Sequence, residues 1–390
     1  MRVVVIGCGV GGVEAVRNLV AAGVGEVKAV CGEWPPYTRH RLSEILRDGL
    51  PPTTASITLE PELLTKAEFV KGFATELRLG RKEVVLDSGE VLSYDSLIIA
   101  TGGLPFIPPI KGAGLRNALP FYGMSSLKYL QSLPKGLRIV VVGAGLVGLT
   151  VASSLMSRGH RVAVFEALNH VLPSVMDEEP AKAVTAHLRD TGVKVFLKSR
   201  VEEVMGSSKV EAVRTSSMVW GSDVVVYAAG VKPRISLVEG LGLEMVGKAV
   251  RITQLGETSL SGVYALGDAA ISYDYVTGKP VYRPLGFIAA HYARLIAEAL
   301  AGKGVRDRGV IPTIYERVGG LDVIRVGLSA SEAEGLGLTV DLRCSKGPAW
   351  VECFVREAGR TLVGYELVRS DPTKRNKGYE VVREVKEVYQ

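Results

Sequence analysis

One local design occurs twice in this chain, and no other feature limits its folding as much. Arg2–Gly7 (RVVVIG) is a β-branched run suited to a buried strand, and it enters the turn Gly7-Cys8-Gly9-Val10-Gly11-Gly12. Beyond the turn, Val13, Val16, Leu19 and Val20 fall at helical spacing, Gly23 ends the helix, and Val27–Cys31 is strand-like again. Residues 2–31 therefore predict a βαβ unit, which requires parallel strands. The design recurs 136 residues later, counted from Gly7 to Gly143. There Arg138–Val142 is the strand, Gly143–Gly148 the turn, Leu149–Met156 the helix and Arg161–Phe165 the next strand.

Each turn reads G-x-G-x-x-G between a strand and a helix. In the first, Gly7 allows the tight turn, Gly9 lets the backbone approach a pyrophosphate, and Gly12 lets the helix lie close on the sheet. The helix N-terminus adds unpaired N–H groups and a positive dipole end. Glu33 follows 21 residues after Gly12, placed to accept hydrogen bonds from a ribose diol. In the second copy, Gly143, Gly145 and Gly148 repeat the pattern, and Glu166 follows 18 residues after Gly148. An acidic group there favours a free 2′-hydroxyl over a 2′-phosphate, hence NADH over NADPH. Two dinucleotide sites in one chain suggest two cofactors that meet. A flavin beside a nicotinamide is a hydride-transfer pair, which the protein needs only to align.

Composition removes several alternatives. With 47% apolar and 23% charged residues the chain is an ordinary globular one, and its 45 glycines in 390 residues suit turns and close backbone approaches. The net charge of +6 comes without zinc-finger spacing or an aromatic-interleaved basic run, so nucleic-acid binding is not expected. An acidic protein partner fits the sign. Ile139–Ser157 is uncharged for nineteen residues, but its three glycines make it a strand, turn and helix and not a membrane span. The first strand begins at Arg2, which leaves no room before it for a signal peptide and points to the cytoplasm. Cys8, Cys31, Cys344 and Cys353 form no C-x-x-C pair, and the five histidines have no metal spacing, so no metal site is expected. Cys8 and Cys31 read as small buried residues. Cys344 and Cys353 flank a hairpin-like stretch and could face each other there, as a chance pair of strand cysteines more readily than as a redox couple.

The remaining motifs carry a resemblance. They are GCGVGG with Glu33, YDSLIIATGG at 94–103, VVVGAGLVGL at 140–149 with Glu166, DVVVYAAGVKPR at 223–234 and SLSGVYALGDAA at 259–270. Together they resemble the FAD-dependent pyridine nucleotide-disulfide oxidoreductase superfamily over essentially the whole chain. The resemblance implies an α/β fold with two Rossmann-like domains, for FAD and NAD, of the glutathione-reductase type, plus a small C-terminal α+β domain. The expected division is 1–111 and 237–306 for FAD, 112–236 for NAD and 307–390 for an interface-like domain, with a homodimer possible. It further implies that Ala100, Thr101 and Gly102 pass backbone near FAD, that Asp268 bonds the ribityl chain, that Ala74 contacts adenine and that Gly230 lies near NAD. A helix from about Leu285 to Leu300 would aim its N-terminus at the flavin, with Gly286 and Phe287 in contact. His291 and Tyr292 on that helix, and Tyr315 and Trp350 beyond it, read as structural residues more readily than as parts of the site.

The segment Pro35–Glu44 (PPYTRHRLSE) is similar to one found in NAD(P)H:rubredoxin oxidoreductases and in the flavin module of assimilatory nitrite reductases, and that similarity places Arg39 by the FAD pyrophosphate. NADH oxidases, peroxidases and coenzyme A-disulfide reductases of the superfamily carry a redox cysteine hereabouts. This chain has no cysteine between Cys31 and Cys344. The chemistry is therefore expected to centre on the flavin, with no catalytic side chain. The expected function is hydride transfer from NADH to FAD, then electron transfer to a small acidic carrier such as rubredoxin. The alternative is an NADH oxidase reducing oxygen or a sulfur compound. A third reading is a signalling flavoprotein like the apoptosis-inducing-factor relatives. One departure from the family pattern is Thr150, where glutamate is common near the nicotinamide.

Overall fold

The computed structural model describes residues 1–389, which divide into two compact units. The first comprises Met1–Arg39, Ala55–Leu104 and Val231–Val310. Its centre is a five-stranded parallel sheet in the order Val263–Ala265, Ser96–Ile99, Arg2–Ile6, Glu26–Cys31, Ala67–Lys71. The inner strands read as continuous apolar runs because both faces are covered. Helices Val10–Ala21 and Gly286–Leu300 pack against each other beside the sheet. A methyl group on Gly11 would lie 2.6 Å from Leu266 Cδ1 and 3.0 Å from Ala289 Cβ, so glycine permits that contact. Ala74–Arg78, Glu83–Leu86 and Val91–Ser93 form a three-stranded antiparallel sheet, with Gly89 at φ +86° in the turn between the last two.

The second unit comprises His40–Thr54, Pro105–Gly230 and Ile311–Gln390. Its parallel sheet runs Lys194–Phe196, Arg161–Phe165, Arg138–Val142, Val224–Tyr227, Ala118–Pro120. The uncharged stretch 139–157 is strand, turn and helix, and no helix among the described residues is long and apolar enough to cross a membrane. The short helix Leu42–Asp48 lies on helix Leu146–Ser157. Ser154 Oγ donates to the Ser43 carbonyl at 2.8 Å, and Arg158 and Gln131 donate to carbonyls at its C-terminal end. The C-terminal segment forms an antiparallel sheet in the order Thr313–Val318, Leu321–Gly327, Thr361–Arg369, Trp350–Glu357, Val340–Gly347. Helix Gly378–Val388 covers that sheet, burying Val381 and Val385, and sequence periodicity did not reveal it.

Cys8 and Cys31 are buried and Cys344 faces Cys353, as expected, but none of the four is a free thiol. All four are bonded, Cys8 to Cys31 and Cys344 to Cys353. The cause is register. Ile6 pairs with Val30 and the Gly7 amide donates to the Val30 carbonyl, which brings Cys8 to 5.0 Å from Cys31, Cα to Cα. Cys344 and Cys353 are directly opposite on adjacent strands, 4.1 Å apart. Both separations are short enough for a bridge.

Candidate functional site

In the first unit the Gly7–Gly12 turn, Ala100–Gly103, Gly267–Asp268 and the Glu33–Arg39 stretch lie together at the carboxyl ends of the parallel strands. Gly7 sits at φ +109°, and a methyl group there would collide with the Ala100 carbonyl oxygen. A methyl on Gly12 would collide with the Gly7 carbonyl oxygen. Gly9 differs. A methyl there would meet only Arg39 Nη1, at 4.0 Å, so the space above Gly9 is open. Two glycines thus close the turn, and the third faces a cradle. Gly9 is also the N-cap of helix Val10–Ala21, which has no side-chain cap and no acidic residue in its first turn. Its amides and dipole are left for an anionic ligand.

Around this cradle, Ala100 is held by its amide to Ile6, Thr101 Oγ1 donates to the Arg234 carbonyl at 2.8 Å, and Gly102 has φ +71° with open space beside it. Asp268 Oδ2 would be 3.3 Å from a methyl on Gly103, and Gly267 lies against Ala289 of the long helix. Burial pushes the Asp268 carboxyl up, and the Arg39 guanidinium pulls it back. Helix Gly286–Leu300 starts without a side-chain cap or an acidic first turn, and Phe287 beside its start is 40% exposed. At the other end of the cradle Glu33 accepts from the Tyr37 hydroxyl at 3.0 Å and from Arg39 Nη2 at 2.8 Å. A methyl on Gly32 would strike the Phe73 ring, so Phe73, and Ala74 after it, lie beside the strand end that carries Glu33.

The second unit repeats the loop. Gly143 has φ +104°, and a methyl there would lie 2.6 Å from the Ala228 carbonyl oxygen. A methyl on Gly148 would collide with the Gly143 carbonyl oxygen, while Gly145 and Gly230 face open space. Helix Leu146–Ser157 begins at Gly145 uncapped. Glu166 behaves differently from Glu33. It is 7% exposed and braces the loop, accepting from the Ala144 amide at 2.7 Å and the Leu168 amide at 2.9 Å. Thr150 Oγ1 donates back to the Val147 carbonyl of its own helix.

The bystanders are accounted for by local bonds. His291 Nε2 is 3.1 Å from Asp307 Oδ1, and the buried Tyr292 hydroxyl accepts from the Tyr273 amide. Lys374 Nζ lies 3.5 Å from the Trp350 ring centre, and Tyr315 donates to Asp322. No cluster of potential metal ligands occurs among the described residues. Sequence reasoning did not single out Tyr37, Arg234 or Tyr282, whose hydroxyl donates to the Asp268 carbonyl at 3.2 Å. Tyr37 lies within the PPYTR stretch and Arg234 ends the DVVVYAAGVKPR motif, but no motif marked Tyr282.

The donor set fits a dinucleotide in each loop. Each has an uncapped helix start, a cradle that one methyl group would fill, and an acidic residue at the end of the second strand. In the first unit the half-buried Asp268 faces the same cradle.

The family model for pyridine nucleotide-disulphide oxidoreductases matches residues 1–293. An NADH oxidase of Methanocaldococcus jannaschii is 33% identical over 247 residues, 62% of this chain, and the match spans 55% of that relative's own length. A NAD-dependent persulfide reductase from A. fulgidus superposes with a TM-score of 0.90 at 27% identity, covering 100% of this chain and 77% of the other. A reductase in a covalent putidaredoxin reductase–putidaredoxin complex superposes with a TM-score of 0.86 at 25% identity, covering 100% and 93%. The chain belongs to the pyridine nucleotide-disulphide oxidoreductase family, whose members bind FAD and use NAD(P)H.

Proposed function

We propose that this protein takes reducing equivalents from NADH through FAD and delivers them to a one-electron carrier protein, most simply a small acidic one of the rubredoxin kind. Bound FAD would supply the chemistry, accepting hydride from the nicotinamide and passing electrons on. The chain's own residues bind and orient. Gly7, Gly9 and Gly12 with the helix start at Val10 receive the FAD pyrophosphate, Arg39 neutralises it, and Glu33 takes the ribose. Asp268 holds the ribityl chain, while Ala100, Thr101, Gly102, Ala74, Gly286 and Phe287 line the pocket. Gly143, Gly145, Gly148 and Gly230 receive NADH, with Glu166 holding the loop in shape.

The observation that carries the choice of acceptor is the cysteine pattern. Reduction of a disulfide or peroxide by this family's thiol route needs a thiolate beside the flavin. The stretch His40–Thr54 has no cysteine, and Ser43 and Glu44 occupy the start of its helix. The likeness to a reductase solved with its carrier agrees with this reading, and the positive net charge suits an acidic partner. The NADH oxidase relative supports a second reading, in which oxygen or a sulfur compound takes the electrons.

The test is NADH consumption by the purified flavoprotein with a panel of acceptors, under argon and in air. Carrier reduction under argon at least tenfold faster than NADH consumption in air alone is expected. Equal consumption in air with and without carrier would overturn the carrier assignment in favour of the oxidase.

A further inference from the structure

We propose that the Cys8–Cys31 disulfide is a thiol-responsive lock on the pyrophosphate loop, which holds FAD tightly while the bond is closed and loosely once it is open. The inference rests on reading that loop as the FAD site.

The placement is specific. Cys8 is the residue between Gly7 and Gly9, inside the turn that faces the ligand. Cys31 is the last residue of strand Glu26–Cys31, two positions before Glu33. One covalent link therefore ties the pyrophosphate end of the cradle to the strand end that carries the ribose acceptor. The two sides are unequally anchored. Cys31 belongs to a strand paired on both sides, and its carbonyl accepts from the Gly72 amide at 3.1 Å. At Gly7 and Gly12 there is no room even for a methyl group, which would collide with the Ala100 and Gly7 carbonyl oxygens. The open side is above Gly9, toward Arg39.

Opening the bond takes two electrons and two protons. A thiolate of a small dithiol attacks one sulfur, forms a mixed disulfide and expels the other cysteine as a thiolate. The second thiol of the reductant then closes its own disulfide and releases the first cysteine, and both protein sulfurs take up protons. Unbonded sulfurs keep roughly 3.5–4 Å between them, against about 2 Å in the bridge. In a close-packed interior that separation must be absorbed by whichever part can yield. The strand cannot, and the turn has no room at Gly7 and Gly12. The loop is left to move into the cradle, where the pyrophosphate sits.

The two disulfides also differ in access. Cys8 is 8% exposed and Cys31 1%, whereas Cys344 lies on an exposed edge strand. Reductant reaches Cys344–Cys353 first, and FAD over the loop shields Cys8. Linkage makes the effect reciprocal: if opening the bond weakens FAD binding tenfold, FAD makes the bond harder to reduce by the same factor, about 30 mV for a two-electron couple.

The experiment uses the Cys344→Ser/Cys353→Ser protein, which retains only the inner bridge, and wild type beside it. Peptide mapping after alkylation without reductant reports the bond. Flavin fluorescence reports FAD affinity before and after dithiothreitol, and alkylation during reduction is followed with and without excess FAD. The expected result is a Cys8–Cys31 linked peptide, at least tenfold weaker FAD binding once reduced, and slower reduction with FAD present. The Cys8→Ser/Cys31→Ser protein should bind FAD like the reduced form; should it fail to fold, reduction of the intact chain still decides. Free thiols at both positions in the untreated protein, or equal FAD affinity in the two redox states, would overturn the lock. Absence of FAD binding in either state would instead overturn the assignment of the loop.

Discussion

Adding one methyl group to each glycine of the first turn should give different failures, because the three glycines are there for different reasons. Gly9→Ala places the methyl in the open cradle, 4.0 Å from Arg39 Nη1 and against nothing else of the protein. The fold should survive, with a melting temperature within a few degrees of the parent, while FAD affinity falls at least tenfold in a fluorescence titration. Gly12→Ala drives the methyl into the Gly7 carbonyl. That backbone cannot retreat without separating helix and sheet, so a loss of about 3 kcal/mol or more is expected in denaturant unfolding. The same residues show how much of the site can be read from sequence. Gly7, Gly9 and Gly12 announce their roles by spacing, since the turn allows each only one geometry. Glu33 and Glu166 occupy matching positions after matching strands, yet one is held by Tyr37 and Arg39 and the other is folded under its own loop. Spacing cannot separate them, because the difference lies in the residues C-terminal to each glutamate. After Glu33 comes Trp-Pro-Pro-Tyr, which brings the Tyr37 hydroxyl to its carboxylate, and after Glu166 a reversal that returns the Leu168 amide to its own.

At the scale of elements, one junction couples folding to pH. Helix Glu178–Asp190 meets the C-terminal sheet through Asp177, whose carboxylate accepts from the Ala330 and Ser331 amides and whose own amide donates to Glu366. Glu366 is wholly buried on strand Thr361–Arg369, directly opposite Arg325, which pairs with Glu332 at 3.1 Å. Burial first, and then the Asp177 carboxylate, push Glu366 up to about 8, against the pull of Arg325. A carboxyl raised above its unfolded value holds its proton more firmly when folded. Stability is therefore fullest below pH 4.5 for this group and is lost as pH rises toward about 8. Glu366→Gln cannot ionise and still offers the Asp177 amide an oxygen. It should raise the melting temperature by a few degrees at pH 9, about 2 kcal/mol, and change it little at pH 5. An equal effect at both pH values would show that Glu366 is not the group responsible. Legibility at this scale follows burial geometry. The continuous apolar runs Val3–Ile6 and Ile139–Val142 are plain, because strand residues covered on both faces must be apolar. Helix Gly378–Val388 buries only Gly378, Val381 and Val385 among charged neighbours, so its apolar signal is confined to one narrow stripe.

For the molecule as a whole, the duplicated loop makes the architecture readable from the residues alone. What does not emerge from them is the grouping of His40–Thr54 with the second unit, although its sequence interrupts the first. Its anchors are Ser154, Arg158 and Gln131, which serve carbonyl groups, and a carbonyl partner leaves no mark on residue type. Charge is likewise a property of the whole chain. On the proposed carrier reading, an excess of +6 would speed encounter with an acidic carrier by long-range attraction, which salt screens with a Debye length of about 10 Å at 0.1 M and roughly 3 Å at 1 M. Carrier reduction under argon should therefore slow several-fold between about 20 mM and 500 mM salt. Reduction of an uncharged quinone by the same NADH-fed protein should not, because its encounter gains nothing from the field. If salt slowed both acceptors alike, the step affected would be NADH binding or the flavin site itself. If it slowed neither, the carrier would be docking through apolar contact, and an acidic partner would lose its physical basis.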